Sequence, residues 1–328
     1  MRAAYITELG PADGIRYGDL PEPRPGPTDV LVAVVCTTVN SVDTFVRSGV
    51  FRTPVPLPLA VGRDLVGTVV EAGPGAPGFR PGDLVWCNSL GHGGRQGAAA
   101  ERAVVPADRL YHLPPGVDPE QAVAVFHPAA TAYLALFTHA RVRLGETVFV
   151  AGAAGNVGSA LVTLAAEAGA RVVATASAGD ADYVTELGAA ATLDYRDPGL
   201  DKALRAACPG GIDVYVDSSG TNDLPLAVEQ LAPRGRIVLF AGVAARPTLP
   251  VGPLYMKDAS ILGFVISHAT TDQLAEAAVA INRLLTSGGL RPRRTERIPL
   301  SAMADAHLRM EKAELRGRRL IVRPDLDR

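Results

Sequence analysis

The 328-residue sequence has only three cysteines, Cys36, Cys87 and Cys208, and no CxxC motif. A disulfide scaffold or a cysteine-rich zinc site is therefore not expected, and a reducing compartment suits the chain. Lysine is as scarce, at Lys202, Lys257 and Lys312, so arginine carries the positive charge. The formal net charge is −2, which gives no reason to expect nucleic acid or an anionic membrane as a partner. No apolar run reaches the roughly 20 residues needed to span a bilayer. The opening stretch MRAAYITELG lacks the apolar core of a signal peptide, so a cytoplasmic location is expected. The six histidines form no i,i+2 or i,i+4 pair, and no metal site is expected. The sequence GK[ST] is missing, which excludes a P-loop.

What is present is an ordinary globular composition, 48% apolar and 20% charged, in a chain long enough for two domains. Residues 1–120 read as β-rich. Short apolar strands at 29–40, 64–73 and 83–89 alternate with Gly/Pro turns at 21–27, 73–83 and 91–97, the signature of a barrel or sandwich. From about 120 the rhythm changes. A helix is expected over 128–140. Strands at 146–152, 171–176, 191–195, 212–219 and 236–242 then alternate with helices at 156–168, 180–188, 199–207 and 224–232. That alternation predicts a doubly wound parallel sheet. The apolar run 260–267, an amphipathic helix over 271–289 and a last strand over 317–324 follow.

The stretch AGAAGNVGSA (151–160) joins the first of those strands to a helix whose apolar face is Val157, Ala160, Leu161, Leu164, Ala165 and Ala168. It reads as the dinucleotide fingerprint with its first glycine replaced: Ala153, Gly155, Gly158, with Asn156 and Val157 opening the helix. Gly155 would let a pyrophosphate approach the backbone N–H groups at the positive helix end, and Gly158 would let helix pack on strand. The next strand ends Thr175, Ala176, Ser177, without the acid that grips the ribose of NAD. NADPH is therefore expected, with Ser177 and Tyr195 as hydrogen-bond donors to its 2′-phosphate. The alternative is that both are plain loop residues. Ser218, Ser219, Phe240, Gly242 and Val243 close later strands, at the end of the sheet where a dinucleotide lies.

The segments VNSVDTFVRSGVF (39–51), GRDLVGTVVEAGPGAPGFRPGDLVW (62–86), AGAAGNVGSA (151–160) and LGAAATLDYRD (187–197) together resemble the zinc-free quinone oxidoreductases, the zeta-crystallin branch of the medium-chain dehydrogenase/reductase superfamily. The resemblance covers essentially the whole chain. It implies an α/β architecture: a GroES-like β-barrel catalytic domain (1–122 and 263–328) around an inserted Rossmann nucleotide domain (123–262), with the active site between them. Zinc-dependent members carry a cysteine where Asn40 stands and Gly-His-Glu where Gly62-Arg63-Asp64 stands. Their four-cysteine lobe is replaced by NSLGHGGRQGAAAE (88–101).

By the same resemblance, Asn40 is an orienting donor and Asp43 its neighbour at the nicotinamide end. Thr131 is a nicotinamide contact, and the backbone of Phe264 and Val265 meets the carboxamide. A helix or turn cap is the alternative role for Asn40, Asp43 and Thr131. Two departures stand out. Phe45 and Phe51 occupy positions commonly held by tyrosine, which makes the pocket apolar and leaves the proton to water. Asp180 aligns with a basic 2′-phosphate contact. His127, before PAAT, is a further possible donor, with a structural role as its alternative. The implied activity is NADPH-dependent reduction of a quinone or an α,β-unsaturated carbonyl by a homodimer. The alternatives are an enoyl-thioester reductase of secondary metabolism and a non-catalytic dinucleotide-binding protein.

Overall fold

The computed structural model describes residues 1–327. The chain divides into two compact units, Pro128–Gln273 and the remainder on either side of it.

The first unit begins with β1 (Arg2–Ile6), β2 (Arg16–Asp19), β3 (Asp29–Thr38), helix α1 (Ser41–Ser48), β4 (Leu59–Ala60), β5 (Leu65–Ala72), β6 (Leu84–Cys87), β7 (Arg102–Pro106) and β8 (Tyr111–His112). The long strand β3 is the organiser. It is apolar along most of its length and pairs antiparallel with both β5 and β7. Its Val30, Val32 and Val34 enter one core with Leu65, Val85, Leu90 and Val105. A second core gathers Ile6, Val39, Val46 and Leu59 with Leu300, Met303, Leu320 and Val322 from the returning segment. Trp86 is fully buried, stacked on Phe126 at 3.9 Å.

Helix α2 (Pro119–Tyr133) continues as a π-helical segment, Leu134–His139. The sequence reading expects this helix over 128–140. The start is instead at Pro119, because the Asp118 carboxylate accepts from the N–H groups of Glu120 and Gln121 (2.7 and 3.1 Å) and proline suits a first helical position. Pro128 lies inside the helix. By length and composition alone, Pro119–His139 is long and apolar enough to cross a membrane, but 78% of its apolar window is buried inside the protein, as in a core helix.

The second unit carries β9 (Thr147–Ala151), α3 (Asn156–Glu167), β10 (Arg171–Ala176), α4 (Ala181–Glu186), β11 (Ala191–Asp194), α5 (Leu200–Ala207), β12 (Ile212–Asp217), α6 (Leu224–Gln230), β13 (Leu231–Leu239), α7 (Val251–Tyr255) and β14 (Ser260–Gly263). All six strands are parallel, in the order β11-β10-β9-β12-β13-β14. The order reverses at β9, whose two neighbours lead away in opposite directions, and such a switch point is where doubly wound sheets bind ligands. The run 260–267 does not stay extended: β14 stops at Gly263 and a 3-10 turn forms at Ile266–His268. After α8 (Thr271–Ser287), strands β15 (Arg294–Pro299) and β16 (Arg318–Arg323) flank α9 (Met303–Glu311). Strand β16 pairs antiparallel with β3, which ties the returning segment into the first unit.

Candidate functional site

The residues expected to bind a dinucleotide lie at the carboxyl ends of the second unit's strands. Past β9, Gly152 turns the chain with φ +73°, and Ala153 donates its N–H to the Thr175 carbonyl (2.9 Å). Gly155 then caps α3. A Cβ on Gly158 would stand 2.2 Å from the Gly152 oxygen and 2.8 Å from Ala153 Cα, so only glycine lets α3 lie this close to the turn. A Cβ on Gly155 would meet nothing nearer than the Gly152 oxygen at 3.3 Å. Gly155 is solvent-exposed, with Asn156 and Val157 half-buried beside it. The first N–H groups of a helix have no partner within it, and together with the helix dipole they make a cradle for a diphosphate. The residues present fit that group.

The flanking strand ends complete the rim. Buried Asp217 accepts from the N–H groups of Ser219 (2.7 Å) and Gly220 (3.1 Å), and from Ser219 Oγ (2.6 Å). Ser218 Oγ donates to the Ala151 carbonyl (2.7 Å), fastening the end of β12 to the end of β9. Gly242, at φ +80°, sits where a Cβ would be 2.5 Å from the Gly220 oxygen, so the loops after β12 and β13 touch. Phe240 and Phe264 pack tilted at 5.5 Å. Val243 is exposed and Val265 half-buried. At the end of β10, Ser177 Oγ donates to Asp180 Oδ2 (2.7 Å). At the end of β11, the exposed Tyr195 ring lies under the Arg196 guanidinium, 5.1 Å away. Thr131 is buried in the interior of α2.

The other expected residues lie in the first unit, in a buried polar cluster. Asn40 is the N-cap of α1, and Asp43 Oδ2 accepts its backbone N–H (2.8 Å), one half of a capping box. Asp43 Oδ1 is ion-paired with Arg63 Nε (3.2 Å), both groups almost fully buried. The Asn40 amide is held at both ends. Its Nδ2 donates to Asp64 Oδ2 (3.0 Å), and its Oδ1 accepts from Arg319 (2.9 Å). Its geometry makes it a clamped group, where the resemblance implies a donor offered to a ligand. Phe51 packs at the edge of the second core.

Burial dominates the electrostatics of this cluster. It raises the Asp43 carboxyl even against the charge of Arg63. Burial and then the negative charge of Asp43 push Asp64 up to about 7. Burial and the charges of Arg63 and Arg319 hold His127 far below its usual value. His127 Nδ1 stands 4.0 Å from Asp64 Oδ1, beyond direct hydrogen-bond distance.

Two family models match the chain: "alcohol dehydrogenase GroES-like domain" over residues 26–115 and "zinc-binding dehydrogenase" over residues 156–281. Human quinone oxidoreductase is 30% identical over 312 residues, covering 94% of this chain and 93% of that protein. The chain belongs to the quinone oxidoreductase branch of the medium-chain dehydrogenase/reductases. The quinone oxidoreductase of Pseudomonas syringae superposes with a TM-score of 0.86 at 26% identity, covering 98% of this chain and 99% of that one. A mycobacterial protein complexed with NADPH gives 0.84 at 28% identity, over 99% and 100% of the two chains. The architecture is accordingly the GroES-like plus Rossmann-like arrangement of that branch, and the protein is an oxidoreductase with a nicotinamide dinucleotide cofactor.

Within this branch the cluster has members that sequence reasoning passed over. Arg319 was not singled out, because β16 is apolar at its centre and Arg319 is one arginine of a pair. Arg63 and Asp64 were noted only for what they replace. Only the fold shows that they grip Asp43 and Asn40.

Proposed function

We propose that this chain is a metal-independent reductase that passes a hydride from a reduced nicotinamide dinucleotide to a quinone or an α,β-unsaturated carbonyl. The glycine corner around Gly155 and Gly158 carries this reading, in a chain 30% identical to human quinone oxidoreductase. When bound, the nicotinamide supplies the hydride; NADPH is the form that the resemblance and the mycobacterial relative favour. Ala153, Gly155, Asn156 and Val157 hold the diphosphate. Ser218, Ser219, Phe240, Gly242, Val243, Phe264, Val265 and Thr131 position the remainder.

A conjugated acceptor spreads incoming charge over its own π-system, so it depends less on a Lewis acid than a simple ketone does. The donor set supports metal independence. Arg63 stands in place of the zinc ligand histidine, already paired with Asp43, and a guanidinium is not a zinc ligand. Among the described residues, no group of three or more His, Cys, Asp or Glu side chains is placed to hold a metal ion. Asn40 and Asp43, clamped by Arg63, Asp64 and Arg319, fix the start of α1 and with it the wall that bears Phe45 and Phe51. Those phenylalanines offer no proton, so water supplies it.

The test is oxidation of the reduced cofactor against quinones, enones and enoyl thioesters, with and without a strong chelator. Turnover of quinones or enones, unaffected by the chelator, is expected. Turnover of enoyl thioesters alone would reassign the substrate class. Tight cofactor binding with no turnover on any acceptor would make the chain a non-catalytic binding protein. We also propose a cytoplasmic homodimer. Its pairing is supported by the edge strand β14 and the exposed Val251, Tyr255 and Met256 near it in sequence.

A further inference from the structure

We propose that Asp180 makes this chain prefer the cofactor without a 2′-phosphate, NADH, over NADPH. The inference rests on the dinucleotide reading of the Gly155 corner and reverses the choice of donor that the resemblance implies.

In parallel nucleotide-binding sheets, the end of the strand next to the glycine turn faces the adenosine ribose. Here that strand is β10, which pairs with β9 on one side and β11 on the other. The first residue past it, Ser177, has a single hydroxyl proton to give. That proton goes to Asp180 Oδ2 at 2.7 Å, so the Ser177 hydroxyl cannot also donate to a phosphate without breaking this bond. The bond in turn fixes a carboxylate beside the strand end. A carboxylate accepts a hydrogen bond from a ribose hydroxyl, whereas it repels a phosphate monoester carrying close to two negative charges at neutral pH.

The surroundings reinforce the sign. Between Ser177 and Asp197 the chain carries five carboxylates (Asp180, Asp182, Glu186, Asp194 and Asp197) against one cation, Arg196. The Arg196 guanidinium lies over the Tyr195 ring, and its backbone N–H is bound by Asp194 Oδ1 at 2.9 Å. Tyr195 is held beside the end of β10 through its N–H to the Ala176 carbonyl, at 3.3 Å. Within this stretch one exposed guanidinium therefore stands against five carboxylates. The acid that NAD-binding strands carry at their tip is supplied three residues later, folded back onto Ser177.

The test is direct binding, read by nicotinamide fluorescence or calorimetry on the full chain, with no acceptor present. The wild-type protein is expected to bind NADH about tenfold more tightly than NADPH, a modest share of the repulsion between close charges near a surface. Asp180→Asn keeps the shape and removes the charge. It is expected to tighten NADPH about tenfold, weaken NADH slightly and abolish the preference. Salt gives a second reading that needs no variant. Raising ionic strength screens repulsion, so the NADPH affinity is expected to rise relative to NADH. An NADPH site built on a cation would show the opposite trend. Tighter binding of NADPH by the wild type, or an unchanged ratio in Asp180→Asn, would overturn this inference and leave the reductase reading standing. Binding of neither form would overturn the dinucleotide reading and this inference with it.

Discussion

Asp64 holds its proton far more tightly than an ordinary carboxyl, for a structural reason. It is fully buried, and the nearby charge of Asp43 discourages a second negative charge, so its carboxyl rises to about 7. A folded-state value above the unfolded one means the contribution to stability is complete below about pH 4 and is lost as pH rises through about 7. Asp64→Asn mimics the protonated form and keeps a partner for Asn40. Urea midpoints between pH 5 and 8 are expected to fall less steeply in this variant, with a gain of up to about 4 kcal/mol at the alkaline end.

His307 has the opposite sign. It is wholly buried, neither ring nitrogen has a hydrogen-bond partner among the described residues, and burial followed by the charge of Arg47 lowers it to about 3. The neutral ring favours the folded state above about pH 6.5, and that stability is lost as pH falls toward 3. Replacing it by leucine is expected to raise stability, by about 2 kcal/mol more at pH 5 than at pH 8. Thermal melts at the two pH values check this. The three cysteines are buried and free, with burial raising each thiol, so slow reaction with a thiol reagent is expected of the folded chain.

At the scale of elements, the contact between β9 and α3 depends on one missing side chain. Gly158→Ala would drive a methyl group into the Gly152 carbonyl. Overpacking of this kind costs about 1–3 kcal/mol, and the shift of α3 would also spoil the diphosphate cradle. Loss of cofactor binding together with a lower melting temperature is the expected result. The start of α1 depends on Asp43 in two ways, as partner of the Asn40 N–H and as counter-charge to Arg63. Asp43→Ala removes both and leaves a buried guanidinium without its ion pair, at a cost of about 3–5 kcal/mol. Denaturant titration is the measure. A collapse of stability far beyond about 1 kcal/mol, the worth of an ordinary cap, would show that the ion pair is the larger part.

For the whole molecule, the proposed pairing predicts a mass near twice 34.1 kDa by light scattering. Met256→Asp, at a position 76% exposed, is expected to shift that mass toward the monomer while leaving cofactor affinity within about twofold, because a new charge in an apolar contact opposes association and not ligand binding. The parallel sheet was readable because strands buried on both faces are written as largely apolar runs: TVFVA, RVVATA and IDVYVD are β9, β10 and β12. Where such a run ends was not readable. An apolar sequence is indifferent to whether its neighbour continues, and SILGFVIS leaves the sheet at Gly263 beside the end of β13.

The sequence by itself determined the alternation of strand and helix, the glycine corner and the exchange of histidine for Arg63, because each is a matter of local spacing or residue type. Tertiary structure decided the rest. Asn40, Asp64 and Arg319 come from three distant stretches and meet only when β16 pairs with β3. Burial of that meeting, and nothing in the composition, turns ordinary acids and bases into a proton-holding cluster. Ser177 and Asp180 are three residues apart in the chain, yet only their folded geometry, with the serine's proton spent on the carboxylate, turns an expected phosphate donor into the support of an acid.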